Sequence, residues 1–152
     1  MNWRILIALA TFLYSGTMAF AESKAWFTSE AEAKAYASQQ NIPVMYVFAG
    51  SDWCKPCIQL KQTILTTEAF LLYHPSKVAV LYLDFPQQNK NQLPDALRKQ
   101  NEQLAGIYNK AGYFPYMVVV TADGKIIGSL AFKHQTPEVF IQQCETLLSS
   151  RE

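Results

Sequence analysis

The sequence predicts an α/β fold, one mixed β-sheet layered with helices, parallel in its first half and antiparallel at a terminal hairpin. Three observations carry this. Val44–Ala49 and Val78–Asp84 are short, nearly continuous apolar runs, the pattern of strands buried on both faces. Helix-forming segments alternate with them. Ala122-Asp123-Gly124-Lys125, between two further apolar runs, is a hairpin signal with an Asp-Gly turn.

Each element follows from local chemistry. Ser29 with Glu32 three residues on is a capping box, opening a helix over Glu30–Gln40 that Asn41-Ile42-Pro43 ends. After the first strand, Ser51-Asp52 offers cap chemistry for a helix starting near Cys54. Ile58, Leu65 and Leu72 recur every seven residues, but Thr66-Thr67-Glu68 reads as a fresh start. One helix to about Leu65 and a short second one to about Tyr73 are expected. The strand Val78–Asp84 leads to a polar loop, Pro86–Gln92, and to a helix starting at Pro94 with Leu97, Leu104 and Tyr108 on one face. Tyr116–Thr121 and Ile126–Ala131 form the hairpin, and Pro137 opens a last helix with Phe140, Cys144, Leu147 and Leu148 on one side.

Composition bounds the rest. The chain has 152 residues, 50% hydrophobic and 16% charged, which fits one globular domain and excludes disorder. Thirteen basic and 12 acidic side chains leave a net charge of +1, with Lys and Arg scattered, so no nucleic-acid partner is expected. Arg4, the apolar block Ile5–Tyr14 and Ala19-Phe20-Ala21 have the layout of a secretory signal peptide, residues 1–21, cleaved after Ala21. The block is too short to span about 30 Å of hydrocarbon as a retained anchor. The expected domain is then residues 22–152, periplasmic or secreted, where disulfides form and persist.

The chemistry sits at Cys54-Lys55-Pro56-Cys57. Positions i and i+3 on one helical turn lie about 5–6 Å apart, which suits a disulfide. At the helix amino end, unpaired N–H groups and the macrodipole stabilise a Cys54 thiolate, and Lys55 adds charge of the same sign. Cys57, one turn inside, is the more shielded thiol. The roles expected are attack by Cys54 on a substrate disulfide and resolution by Cys57. A c-type haem site needs His after the second Cys, where Ile58 stands. For zinc, only Cys144, His74 and His134 remain as nitrogen or sulfur donors, at spacings of no standard finger, so no metal site is assigned. A purely structural bridge would close a tiny loop for little gain.

The segment Phe48–Cys57, with Trp53 before the first Cys and Pro56 before the second, resembles the active-site segment of the thioredoxin-like family. Leu81–Asp84 is similar to the family's next strand, Gly112–Pro115 to the turn carrying its cis-proline, and Asp123–Lys125 to its hairpin. The resemblance covers roughly Glu30–Leu148 and looks closest to exported members. It implies a thioredoxin fold, a cis Pro115 beside the sulfurs, and Phe114 offering backbone groups to an extended substrate segment. It also implies an enzyme with no cofactor beyond its own dithiol, acting on protein thiols and disulfides as a monomer. If it reduces them, a membrane-embedded thiol relay would supply electrons. A non-catalytic module holding peptides or copper(I) is the alternative.

Two departures stand out. Thioredoxins carry a buried Asp six residues before the first Cys; here that position is Phe48. Asp52 reads either as a cap or as a substitute proton acceptor. Tyr116 replaces a small Thr after the proline. Trp53, Tyr113, Phe114 and Tyr116 read either as an aromatic rim for a protein substrate or, in part, as core. Cys144 reads as a buried, inert thiol, with a mixed disulfide or dimer bridge as the alternative. His74 reads as a helix-end residue and His134 as a surface one. The Gln87–Gln92 loop is by default solvated, but it starts at the active-site end of the sheet, where it can shape partner choice.

Overall fold

The computed structural model describes residues 26–150. The expected signal peptide, its cleavage site after Ala21 and the start of the 22–152 domain lie outside the described residues. Five strands form one sheet in the order β1-β3-β2-β4-β5. The strands are β1 (Trp26–Phe27), β2 (Val44–Ala49), β3 (Ala79–Asp84), β4 (Tyr116–Val120) and β5 (Ile126–Leu130). Pairs β1–β3 and β2–β3 are parallel, and β2–β4 and β4–β5 are antiparallel. This is the expected mixed sheet, with β1 added. A two-residue strand has no periodicity to read; Trp26 and Phe27 become a strand only because Val80 and Leu81 offer a free edge.

The side chains of β2 alternate between two layers. Met45, Val47 and Ala49 face α2 (Lys55–Leu60), α3 (Glu68–Tyr73) and α5 (Pro137–Ser149), packing with Leu60, Phe70 and Phe140. Val44, Tyr46 and Phe48 face α1 (Glu30–Gln40) and α4 (Asp95–Tyr108), packing with Ala33, Ala37 and Leu104. Burial on both sides explains why these strands read as unbroken apolar runs. In α1 the Ser29 side chain accepts the Glu32 N–H, and Asn41 closes the helix in the left-handed region, as its sequence implied. Gly124 takes φ 91° in the hairpin turn.

One expectation about the helix after Cys54 needs correction. Its cap is Cys54 itself, whose Sγ accepts the Cys57 N–H, not Ser51 or Asp52. The fresh start expected at Thr66-Thr67-Glu68 is present, with Thr67 at the N-cap position of α3, and the seven-residue recurrence of Ile58, Leu65 and Leu72 accordingly forms no buried stripe. Leu65 is fully buried, but Ile58 is exposed and Leu72 is 76% exposed. The cause is a π turn at Lys61–Leu65, closed by Thr66 N–H donating to the Lys61 carbonyl. That extra residue turns both Ile64 and Leu65 into the core and breaks the register on which a heptad depends.

Candidate active site

The cysteine pair lies where β2 runs into α2. Cys54 and Cys57 form a disulfide with Cα atoms 5.2 Å apart. Cys54 is 5% exposed and Cys57 1% exposed, so the second sulfur is the more enclosed, as its place one turn inside the helix requires. The Cys57 N–H points at Cys54 Sγ over 3.3 Å. This donor is one of the orphan amides of the helix start, placed where a hydrogen bond to Cys54 Sγ favours a thiolate there. Lys55 and Pro56 occupy the exposed first positions of α2, so the Lys55 charge sits beside Cys54 without a buried partner.

The turn before Cys54 is built by carboxylates. Asp84, at the end of β3, accepts the Ser51 N–H at 2.9 Å, the Ser51 hydroxyl at 2.6 Å and the Phe85 N–H at 3.0 Å. Asp52 accepts the Gln87 and Gln88 N–H groups and the Asn91 side-chain amide, each at 2.9 Å. These donors, Gln87 first and then Asn91, hold its carboxyl below the usual carboxylate range. Asp52 therefore clamps the 86–92 loop to the active-site turn. An acid pulled down in this way is a poorer base than a free carboxylate, which goes against the proton-acceptor reading. The loop is exposed, as expected, and is also held in place: it carries a 3₁₀ turn at Asn89–Asn91 and is pinned by that carboxylate.

Phe48, where a buried Asp stands in thioredoxins, packs beside Phe85 at 6.3 Å and Tyr116 at 6.2 Å, on the α1/α4 side of the sheet. Tyr116 thus belongs to this packing and not to a rim. The ring beside Trp53 is Phe114, with centroids 5.3 Å apart, and Phe114 meets Phe85 at the same distance. Trp53 is 41% exposed and donates its Nε1–H to the Phe85 carbonyl at 2.7 Å. The indole stands against Gly50, where a Cβ would come within 2.3 Å of it, so any side chain there would displace the ring.

The Phe114–Pro115 peptide is cis, as the resemblance implied. Asn109 brackets the preceding turn by accepting the Tyr113 N–H at 3.1 Å and donating to the Tyr113 carbonyl at 2.9 Å. Gly112 takes φ 69° within that turn, and the Tyr113 side chain projects into solvent, 67% exposed. The structure thus brings together Trp53, Cys54, Cys57 and Phe114, and places Tyr113 at the periphery. Sequence reading missed Phe85, the Asp84–Ser51 link and Asn109. The one available signal was Asp84-Phe85 ending a buried strand at the same sheet end as the cysteines.

The remaining candidates lie elsewhere. Cys144 is buried at 3% exposure, and burial, with Glu145 beside it, pushes its thiol up to about 12. His74 is buried, stacked on Phe70 at 5.2 Å with Trp26 at its edge, and burial pulls its pKa down. His134 is exposed.

Comparison with known proteins agrees with this geometry. Residues 25–122 match the family described as thioredoxin-like. Disulfide bond reductase DsbH of Chlamydia pneumoniae is 30% identical over 135 residues, covering 89% of this chain and 80% of that protein. A solved DsbH oxidoreductase superposes with a TM-score of 0.75 at 29% identity, covering 81% of this chain and 83% of the other. A thioredoxin from Thermus thermophilus shares the fold at a TM-score of 0.59 and 20% identity, over 80% of this chain and 85% of its own.

Proposed function

The chain belongs to the thioredoxin-like family and is a thiol–disulfide oxidoreductase, and on that premise we propose that it reduces disulfides in protein substrates outside the cytoplasm. The observation that carries this reading is the Cys57 N–H aimed at Cys54 Sγ. It supports Cys54 as the sulfur whose anion the fold stabilises, hence as the attacking group. Cys54 thiolate attacks one sulfur of the substrate disulfide, forming a mixed disulfide and expelling the first substrate thiolate. Cys57, as its thiolate, then attacks Cys54 Sγ and expels the second. Two electrons pass to the substrate, and the Cys54–Cys57 bond results.

Trp53, Phe114 and the cis Pro115 form the docking wall, with Lys55, Pro56 and Tyr113 at its margin. Phe114 offers its backbone to an extended segment. With Phe48 in place of a buried acid, and Asp52 engaged with the loop, the proton of Cys57 leaves to water. The domain works as a monomer on the far side of a membrane, after removal of residues 1–21, and is recharged by a membrane-embedded thiol donor. The layout of residues 1–21 supports export, and the reductase name of the Chlamydia relative supports the direction of electron flow.

Equilibration in glutathione or dithiothreitol buffers tests the direction. A potential of about −250 mV or lower is expected of a reductase, and about −180 mV or higher would make it an oxidase or isomerase. Reduction of an insulin disulfide should vanish in Cys54→Ser; persistence there would remove the mechanism.

A further inference from the structure

Beside the active-site turn, on the edge of the sheet that β1 leaves uncovered, lies a cavity of about 330 Å³ that the redox chemistry does not use. Its walls are Trp26, Lys61, Tyr82, Leu93 and Leu97, and Ser51, Asp84 and Asn101 close its inner side. The Trp26 and Tyr82 rings stack at 5.6 Å, and the Lys61 ammonium stands 5.1 Å from the Tyr82 ring centre. The polar groups of the inner side are already paired. Asp84 accepts from Ser51 and Phe85, and Asn101 donates to the Asp84 carbonyl at 2.9 Å while accepting from Gln100 at 3.0 Å.

Two donors are left over. Tyr82 is 7% exposed, and its hydroxyl has no hydrogen-bond partner. Lys61 takes part in no ion pair among the described residues. A buried hydroxyl left unpaired is destabilising, so a ligand that supplies an acceptor gains from pairing it. We propose that this cavity binds a small organic carboxylate with an apolar body, the carboxylate between Lys61 and the Tyr82 hydroxyl and the body against Trp26, Leu93 and Leu97.

Both free groups are donors, which selects an acceptor, and the adjacent ammonium selects a negative one. Burial, with Asp84 nearby, raises the Tyr82 hydroxyl to about 12, so it keeps its proton and donates at neutral pH. The single carboxylate of the wall, Asp84, is occupied by three donors of its own turn. Lys61 also opens the π turn of the active-site helix, a local irregularity of the kind that accumulates at functional sites.

Titration of the ¹⁵N-labelled protein with benzoate, and with neutral benzamide as its isostere, tests this by NMR. Benzoate should give saturating shifts at the amides of Thr28, Lys61 and Tyr82, and benzamide should not. Lys61→Gln should weaken benzoate about fivefold, the scale of a partly exposed ion pair. Tyr82→Phe keeps the ring stack and should weaken it about threefold, as loss of one hydrogen bond does. Equal shifts with both probes, shifts that never saturate, or an unchanged affinity in Lys61→Gln would overturn the proposal. A Tyr82→Phe protein of native melting temperature that binds benzoate as tightly as before would also overturn it.

Discussion

Replacing Gly50 by Ala tests whether the active-site surface depends on one missing side chain. A Cβ at Gly50 would lie 2.3 Å from Trp53 Cε2, 2.4 Å from Nε1 and 2.7 Å from Cζ2. The indole is a rigid plane, so it must swing away as a whole. Doing so breaks the 2.7 Å hydrogen bond from Nε1–H to the Phe85 carbonyl and the edge contact with Phe114 at 5.3 Å. A hydrogen bond contributes about 1 kcal/mol net, and an aromatic pair about 0.5–1.5 kcal/mol. Because Trp53 is 41% exposed, water recovers part of both, leaving about 1–2 kcal/mol. That corresponds to a fall in melting temperature of roughly 4–8 °C for a domain of this size. The indole N–H resonance should move toward its solvent-exposed position. If Trp53 is part of the docking wall, kcat/KM for a protein disulfide should drop about tenfold, as a loss near 1.4 kcal/mol implies. Turnover of a small soluble disulfide should hold within about twofold, since the dithiol and its cap are untouched. An unshifted indole resonance together with an unchanged melting temperature would refute the steric argument.

Three further expectations rest on titratable groups. The Asp52 carboxyl is lowered in the fold, so its contribution is complete above the unfolded value near 3.9 and is lost as pH falls through the lower folded value. Hydrogen exchange at the Gln87 and Gln88 amides should accordingly lose protection in acid, and Asp52→Ala should abolish that protection at neutral pH; protected amides in the variant would contradict the clamp. His74 is also lowered, by burial, so its neutral form is favoured in the fold and stability is lost as pH falls below about 6.5. Denaturation of His74→Gln should show a flatter stability profile between about pH 6.5 and 5, and an identical slope would count against the assignment. Cys144, pushed up to about 12, should escape iodoacetamide at pH 8 in the reduced native protein while Cys54 is alkylated, and both should react after unfolding. Mass mapping with comparable native labelling at Cys144 would refute its burial.

Much of this protein was written locally. The runs Val44–Ala49 and Val78–Asp84, the Ser29 cap, the Asp123-Gly124 turn and the Cys54–Cys57 spacing each depend on near neighbours in the chain. For that reason helices, strands, hairpin and redox pair were legible from residue order. The same holds for Cys144 and Phe140 on the inner side of the last helix. What residue order did not reveal depends on partners distant in sequence. β1 exists because β3 has a free edge, and the π turn at Lys61–Leu65 re-aims two core residues against a sheet that sequence periodicity does not represent.

The split is sharpest around the cysteines. Trp53, Cys54 and Cys57 announce themselves as a motif, but their surface is made by Phe85 and Phe114, some 30 and 60 residues further along the chain, and by a glycine that admits the indole. Ser51 and Asp52 read locally as caps, yet their side chains bond to Asp84 and to the 87–91 loop. A polar side chain pairs with the partners that tertiary packing brings to it: here the Ser51 hydroxyl donates to the Asp84 carboxylate of β3 and the Asp52 carboxylate accepts from the loop, so neither caps the helix. Sequence alone therefore determined which sulfurs pair. Which groups surround them was decided by the parallel pairing of β2 and β3, because that pairing sets the end of one strand beside the end of the other.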